Sequence, residues 1–211
     1  VAMKELEIRG AGNLLGGEQA GHIADIGFDL YVRMVGEALA EVKGETSSDQ
    51  PTTKLELPLD AHIPHTYIPD ERLRLAAYRA FAEAATPESL AEVMAEMHDR
   101  YGRPPAPVVM LGAAAGLRQR LSAAGITEAI ALGERLRCEG VALPESMQMR
   151  LSRLYPGAVL KPASRTVLLP LPKTARVGGK ILTGVELIAW VDGFIETVTG
   201  LKPGGVRKES T

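Results

Sequence analysis

The spacing of apolar residues along this chain predicts an α+β protein with a short N-terminal segment and a larger C-terminal domain. In residues 28–43 apolar side chains recur every three or four positions, which is typical of a helix with one buried stripe. Gly44 stands where helices commonly end. Residues 44–53 contain no large apolar side chain, and we predict a flexible linker there. The linker therefore marks a domain boundary.

The larger domain, residues 54–211, is expected to begin with a short strand at 54–58 and to continue with helices. Asp70 is suited to cap a helix over residues 71–84. Thr86 and Pro87 are suited to be the cap and the first residue of a second helix, which should run to Tyr101 and stop at Gly102. An alanine- and glycine-rich stretch at 106–123 predicts a third helix that packs closely against its neighbours.

Strand patterns become frequent from residue 126 onward. Residues 126–132 and 136–143 are predicted strands joined by a turn at Gly133, and residues 144–155 are a predicted helix. Short strands at 159–160 and 167–169 complete a small, mostly antiparallel sheet. A last helix over residues 181–198 should have Trp190 in the core. Its expected buried stripe consists of Val185, Ile188, Val191, Ile195 and Val198. The pattern thus predicts a mixed domain of about five helices and one sheet.

Composition and charge exclude several classes of protein. With 45% hydrophobic and 24% charged residues the chain is ordinary globular protein. It has no apolar run of transmembrane length and no signal-peptide layout, so we expect no membrane partner. The net charge of −2 argues against a free-standing nucleic-acid module. The single cysteine, Cys138, excludes a disulfide framework, fits a reducing cytosol, and is expected to be a core residue rather than a reactive one.

No pattern in the chain indicates catalysis. The phosphate loop G-x-x-x-x-G-K-[ST] is absent. His62 and His65 form an H-x-x-H pair, but they lie in a proline-rich loop without a third ligand nearby, so loop histidines are favoured over a metal site. Asp70 and Glu71 follow no apolar strand of the kind that precedes the acidic pair of a nucleotide-binding site. We therefore expect no catalytic residue, no metal and no cofactor in these residues themselves.

A glycine-rich motif near the N-terminus carries the strongest functional signal. Its sequence is I-R-G-A-G-N-L-L-G-G-E-Q-A-G, and the residues at fixed offsets are Arg9, Gly10, Gly12, Gly16, Gln19 and Gly21. Glycines at this density mean a backbone that bends through positive φ or lies very close to another group. A permanent cation and an amide among them suit contacts to phosphate or backbone rather than bond-breaking. From spacing alone, a simple turn between helices, with Arg9 pairing to a carboxylate, stays open.

The motif resembles the TRG element shared by transcription-repair coupling factor (Mfd) and the branch-migration helicase RecG. That element runs D-L-x-x-R-G-x-G-x-x-x-G-x-x-Q-x-G, and here only its first acid differs, because Glu5 replaces aspartate. Arg9 and Gln19 match the residues that couple ATP hydrolysis to movement along DNA in this family. By this resemblance residues 1–43 are the end of a translocation motor, which fits a chain that opens at Val1 as part of a longer protein.

A second resemblance distinguishes the two families. The segments T-K-L-E-L-P-L-D-A-H-I-P, Y-I-P-D-E-R-L-R-L-A-A-Y-R and M-A-E-M-H-D-R-Y-G-R-P-P-A-P are similar to the C-terminal domain of transcription-repair coupling factor. RecG does not carry this domain after its TRG element. The order of TRG element, linker and this domain therefore favours the coupling factor, with a RecG-like helicase fragment or a generic interaction domain as the alternatives.

The resemblance implies a function for the longer protein. It would be a bacterial, cytoplasmic ATP-dependent translocase that binds ATP, magnesium and double-stranded DNA, displaces stalled RNA polymerase and recruits the excision-repair protein UvrA. Its C-terminal domain would be regulatory, docking on an N-terminal UvrB-like module and hiding the surface that binds UvrA. The chain itself would then couple the motor to movement and autoinhibit UvrA recruitment.

The second helix of the larger domain carries the candidate docking residues. Glu92, Glu96 and Asp99 follow each other at steps of four and three, so their carboxylates share one helix face. Glu96 and Asp99 match family positions that meet arginines of the UvrB-like module. The alternative is a solvated helix face on which Glu96 pairs with Arg100, four residues further on.

Overall fold

The computed structural model of the chain describes residues 53–175 and 178–200, and this part of the chain forms five α-helices and five strands. The strands are β1 (Lys54–Glu56), β2 (Glu128–Leu132), β3 (Arg135–Glu139), β4 (Val159–Lys161) and β5 (Thr166–Pro170). The helices are α1 (Glu71–Glu83), α2 (Pro87–Tyr101), α3 (Ala106–Ala123), α4 (Glu145–Leu154) and α5 (Gly184–Thr199). The predicted α+β class is confirmed, as are the expected helices that correspond to α1 through α4.

The five strands form one mixed sheet in the order β1-β2-β3-β5-β4. Only β1 and β2 are parallel, with Leu55 beside Ala129, and the other three pairs are antiparallel. Side chains alternate between two environments along β3. Leu136 and Cys138 are fully buried and point toward the helices, whereas Arg135 is exposed and lies on the other face. The sheet therefore buries one face, as expected for an antiparallel sheet in two layers.

The helices form the second layer around α3. Helices α1 and α2 pack against α3, which in turn packs against α5. Tyr155, just after α4, meets Trp190 and Phe194 of α5 edge to face, with ring centroids 5.7 and 5.8 Å apart. The layer thus runs from α2 through α3 and α5 to α4, and Trp190 packs against the core as predicted.

Close packing between α2 and α3 depends on glycine. A methyl group at Gly112 would lie 3.0 Å from the Met94 sulfur atom. Fully buried Leu111 and Leu117 flank this point on α3. The small residues of α3 therefore let the two helices approach closely, which is what the alanine- and glycine-rich composition predicts.

Polar side chains of α3 tie the helices together. The Arg118 guanidinium donates to the carbonyl of Ala82, 2.9 Å away, and the Gln119 amide donates to the carbonyls of Ala84 and Thr86 at 2.7 and 3.1 Å. Carbonyls at the end of α1 and in the connection to α2 are thereby satisfied. Arg120 of α3 also forms a bidentate ion pair with Asp192 of α5, with nitrogen–oxygen distances of 2.7 and 2.9 Å.

The prediction for the last helix was wrong at its start. Ile181 does not begin a helix but pairs with Lys173 in a bridge, and the Leu182 N–H donates to the carbonyl of Pro172 at 2.8 Å. These apolar residues belong to a loop that folds back on itself, so α5 begins only at Gly184. Val185 therefore lies in the first turn of α5, outside the core, and is 62% exposed rather than buried.

Candidate interdomain docking surface

The candidate docking residues lie on α2, whose two ends are defined by local hydrogen bonds. Thr86 and Ser89 form a capping box in which each backbone N–H donates to the other's side-chain oxygen at 3.1 Å. Pro87 follows the cap, where its missing N–H leaves no bond unmade. Gly102 ends the helix with φ 81°, a conformation that glycine adopts without strain. The helix therefore begins and ends where the sequence predicted.

Tyr67 holds the C-terminal end of α2 in place. Its hydroxyl oxygen lies 2.9 Å from the carbonyl oxygens of both Met97 and Gly102, and its ring packs edge-on against Tyr101 at 5.9 Å. Burial, together with the neighbouring Tyr101, raises the pKa of Tyr67, so the hydroxyl stays a donor. The sequence analysis missed this residue, because a tyrosine in a proline-rich loop has no periodic pattern that assigns it a partner.

The acidic residues lie on the face of α2 that points away from the core. Each helical residue advances about 100° around the axis, which keeps Glu92, Glu96 and Asp99 together and sets Met97 on the opposite side. All three acidic residues are exposed, whereas Met97 is 3% exposed. The arrangement presents three carboxylates to solvent from one rigid helix.

The three carboxylates differ in their local partners. Glu96 accepts a hydrogen bond from Arg100 at 2.6 Å, and the Arg100 guanidinium lies 5.2 Å from the centre of the Tyr101 ring. The local pairing that the sequence raised as an alternative is therefore formed. Within residues 53–175 and 178–200, Glu92 and Asp99 form no ion pair. An arriving cation would meet Asp99 unopposed but would share Glu96 with Arg100.

The other candidate residues can be placed only in part. The motor-coupling residues Arg9, Gly10, Gly12, Gly16, Gln19 and Gly21 lie outside the described residues, as does the predicted helix at 28–43. His62 contacts Asp60, with 2.9 Å between nitrogen and oxygen, and the described part of the chain contains no group of three metal-ligating side chains. None of its helices is long and apolar enough to cross a membrane. Cys138 is buried, as predicted.

Comparisons with known proteins agree on one class. The model of the TRCF domain family matches residues 57–147, which cover α1 through α3 and the first strands after them. A solved structure, the C-terminal domain of transcription-repair coupling factor, superposes on 70% of this chain and 89% of its own length, with a TM-score of 0.53 and 15% identity. At that identity the similarity shows the fold alone. The described residues thus form a domain of the TRCF class.

Sequence relatives identify the family. Transcription-repair-coupling factor of Mycobacterium tuberculosis is 43% identical over 95% of this chain, and that of Bacillus subtilis is 46% identical over 53%. This chain therefore belongs to the transcription-repair coupling factor family. It spans only 17% of the length of the mycobacterial relative and 10% of the Bacillus one, so it corresponds to a fragment of such a protein.

Proposed function

We propose that this chain is the C-terminal part of an ATP-dependent DNA translocase that displaces stalled RNA polymerase and recruits UvrA. In this proposal residues 1–43 couple the motor to movement through Arg9 and Gln19, residues 44–53 are a linker, and residues 54–211 are an autoinhibitory domain. ATP, magnesium and double-stranded DNA belong to the motor of the whole protein. Family membership supports the general assignment.

The autoinhibitory role is supported by the exposed acidic face of α2. In the proposed closed state Glu96 and Asp99 meet a basic patch on the UvrB-like module. Because the helix is capped at both ends and its last turn is held by Tyr67, the backbone that carries these carboxylates loses little freedom on docking. UvrA then binds only the open fraction of molecules, and its apparent affinity falls by that fraction.

The energies involved are sufficient for a switch. An exposed charge pair is worth about 0–1 kcal/mol, whereas breaking one partner of a desolvated interfacial pair costs about 2–5 kcal/mol. Asp99, which has no ion pair in the described region, should contribute more than Glu96, whose bond to Arg100 must be shared. Two such contacts can therefore change a closed fraction that is held by a few kcal/mol.

The test is UvrA binding to the whole protein with Glu96→Lys and Asp99→Lys together. Reversing both charges should open the closed state and tighten UvrA binding by about tenfold or more, since about 1.4 kcal/mol corresponds to a factor of ten. Arg100→Gln should act in the opposite direction, because it frees Glu96 for the partner and removes a nearby positive charge. Affinity would be titrated for all variants at one salt concentration.

A matched control is Glu83→Lys with Glu186→Lys, which makes the same charge change at exposed positions on α1 and α5. This pair should leave UvrA affinity unchanged. If it tightens binding as much as the α2 variant, net charge is responsible and the docking proposal is wrong. Thermal melts of the 211-residue chain should be equal for both variants, and a collapsed melt for the α2 variant would assign these carboxylates a structural role instead.

A further inference from the structure

Charge is distributed unevenly within the larger domain. Residues 146–185 contain no aspartate or glutamate and seven lysines and arginines. These are Arg150, Arg153, Lys161, Arg165, Lys173, Arg176 and Lys180. The chain's overall charge of −2 conceals this segment, because the acidic residues lie before and after it. A basic stretch of this kind is an electrostatic footprint that total charge does not reveal.

The fold places this segment along one edge of the molecule. Helix α4 precedes the edge strand β4. The chain just before α4 and the chain just after it are hydrogen-bonded near opposite ends of β5. Before α4, the Val141 N–H donates to the carbonyl of Arg165 at 3.0 Å. After α4, the carbonyl of Gly157 accepts from Arg135 at 3.3 Å, beside the end of β5. A ten-residue helix is about 15 Å long and five strand residues span about 17 Å, so helix and strand run the length of this edge together.

The cations on this edge are available to a partner. Arg150, Arg153, Lys161, Arg165 and Lys180 are all exposed, and none forms an ion pair with another described residue. Among the described cations of this segment only Lys173 is paired, with Glu134 at 2.7 Å, and Arg176 lies outside the described residues. We call the five unpaired residues the basic edge. Elsewhere in the described structure some arginines are ion-paired, such as Arg100, Arg120 and Arg137. Others there, such as Arg72 and Arg79 on α1, are exposed without an ion pair, so the basic edge differs in the clustering of its cations along the chain.

Arg165 stands in a conformation that its residue type does not favour. It follows the short turn between β4 and β5 with φ 51° and ψ 35°, and it is the one non-glycine residue with positive φ in the described parts of the chain. Glycine or asparagine would adopt this left-handed conformation more readily. The turn therefore carries an exposed guanidinium at a position where glycine or asparagine would fit the backbone better.

We infer that the basic edge binds the phosphate backbone of double-stranded DNA. Phosphates are neutralised by lysine and arginine without a fixed hydrogen-bond pattern, and release of their counterions drives such binding. The cations lie on a helix, a strand end, a turn and a loop that flank β5. The five residues of β5 span about 17 Å, the length of about five base pairs at about 3.4 Å of helix axis per pair. Residues 146–185 contain no carboxylate, although Glu145 lies at the start of α4 and Glu134 pairs with Lys173. Contacts of this kind position a domain on a duplex without selecting sequence.

This inference is independent of the proposed docking. The basic edge includes α4, whose neighbour Tyr155 contacts α5, whereas the acidic face lies on α2, which packs against α3. An acidic protein surface is the main alternative partner, but it would have to present carboxylates along the whole edge. The test uses the 211-residue chain without any UvrB-like module, so its outcome does not depend on autoinhibition.

The experiment is fluorescence anisotropy of a labelled 20-base-pair duplex titrated with the chain between 50 and 200 mM salt. Five phosphate contacts predict that log K falls with log salt at a slope of about −4 to −5. Arg150→Gln with Arg153→Gln should reduce the slope by about two and weaken binding at 50 mM by about tenfold or more. The matched control, Arg72→Gln with Arg79→Gln on α1, removes two exposed arginines elsewhere and should change neither quantity appreciably.

A second variant separates binding from folding. Arg165→Gly removes one cation and places a residue that tolerates positive φ at this position. DNA binding should therefore weaken while the melting temperature stays equal or rises. The inference is overturned if the parent chain shows no saturable DNA binding at 50 mM salt, or if the two double variants weaken it equally. Polyglutamate bound as tightly as DNA, and weakened by the same substitutions, would assign the edge to an acidic protein instead.

Discussion

Cys138, the chain's single cysteine, shows how far burial alone determines the chemistry of one residue. It lies on the face of β3 that meets the helices and is fully buried. Burial, with a smaller effect of Glu128, raises the pKa of its thiol to about 12. Because the thiolate is the reactive form, the buried thiol should be inert in the folded chain. The apolar pattern of the strand was sufficient to predict this.

We therefore expect a thiol reagent to leave Cys138 unmodified in the native chain at pH 8 and to modify it fully in denaturant. The raised pKa also affects stability. The unfolded thiol ionises from about pH 8.5 upward while the folded one does not, so this group's contribution is complete below that pH and is lost as pH rises toward 12. Cys138→Ala should reduce the loss of stability between pH 8.5 and 10.5, measured by denaturant titration. Rapid modification of the native chain would contradict the prediction.

Other single residues were predictable only where their partners are close in sequence. Asp70 accepts from the N–H of Leu73 and Thr86 from that of Ser89, as helix caps do three residues on. The partners of Tyr67 and Gln119 lie about thirty residues away, and no local pattern indicates them. Side-chain bonds to distant carbonyls depend on the packed fold, which explains why sequence analysis missed them.

At the scale of elements, the last turn of α2 is held by a hydroxyl from outside the helix, that of Tyr67. Tyr67→Phe keeps the ring contact with Tyr101 but removes the bonds to the carbonyls of Met97 and Gly102. One such hydrogen bond contributes about 0.5–1.5 kcal/mol, so the melting temperature should fall by about 1–6 °C. Hydrogen exchange should quicken in the last turn of α2 and leave its capped first turn unchanged.

Tyr101→Phe provides the control, because the Tyr101 hydroxyl makes no hydrogen bond within the described part of the chain. It should melt like the parent. Equal destabilisation by the two substitutions would mean that the hydroxyl of Tyr67 is not what holds the helix end. If Tyr67→Phe also weakens the effect of Glu96→Lys and Asp99→Lys on UvrA binding, the ordered helix end contributes to docking.

Helices were easier to predict than the sheet for a physical reason. Apolar spacing and caps are local, and α1 through α4 follow them within one or two residues. Pairing of strands is not local, because β1 lies parallel to β2 although more than seventy residues separate Lys54 from Glu128. The start of α5 was missed for the same reason, since pairing between Lys173 and Ile181 takes residues that would otherwise suit a helix.

At the scale of the whole molecule, the domain separates its charges. The acidic face lies on α2, which packs against α3, whereas the basic edge includes α4, whose neighbour Tyr155 contacts α5. A domain docked through α2 would therefore leave its basic edge free for DNA. The two proposals are compatible, and a protein moving along a duplex would gain a second contact to it near the regulatory domain.

Motor coupling by the N-terminal motif is a further part of the proposed function, and Arg9 allows the sharpest test of it. If Arg9 transmits the nucleotide state to movement, Arg9→Ala in the complete protein should leave DNA-stimulated ATP hydrolysis within about twofold and abolish displacement of stalled RNA polymerase, a loss of at least about tenfold. The physical reason is that a guanidinium supplies a planar, permanently charged fork that alanine cannot replace. Arg9→Lys keeps the charge without the fork, so it should also displace polymerase poorly.

Arg33→Ala, which removes an arginine outside the motif, should retain both activities. Hydrolysis and displacement would be measured on the same preparations, with melting curves to verify that each variant is folded. Gln19→Ala should resemble Arg9→Ala, because the proposal assigns the coupling role to both residues. If hydrolysis falls in parallel with displacement, Arg9 serves the ATP site or the fold, and the coupling proposal is wrong. A folded Arg9→Ala protein that displaces polymerase normally would contradict it equally.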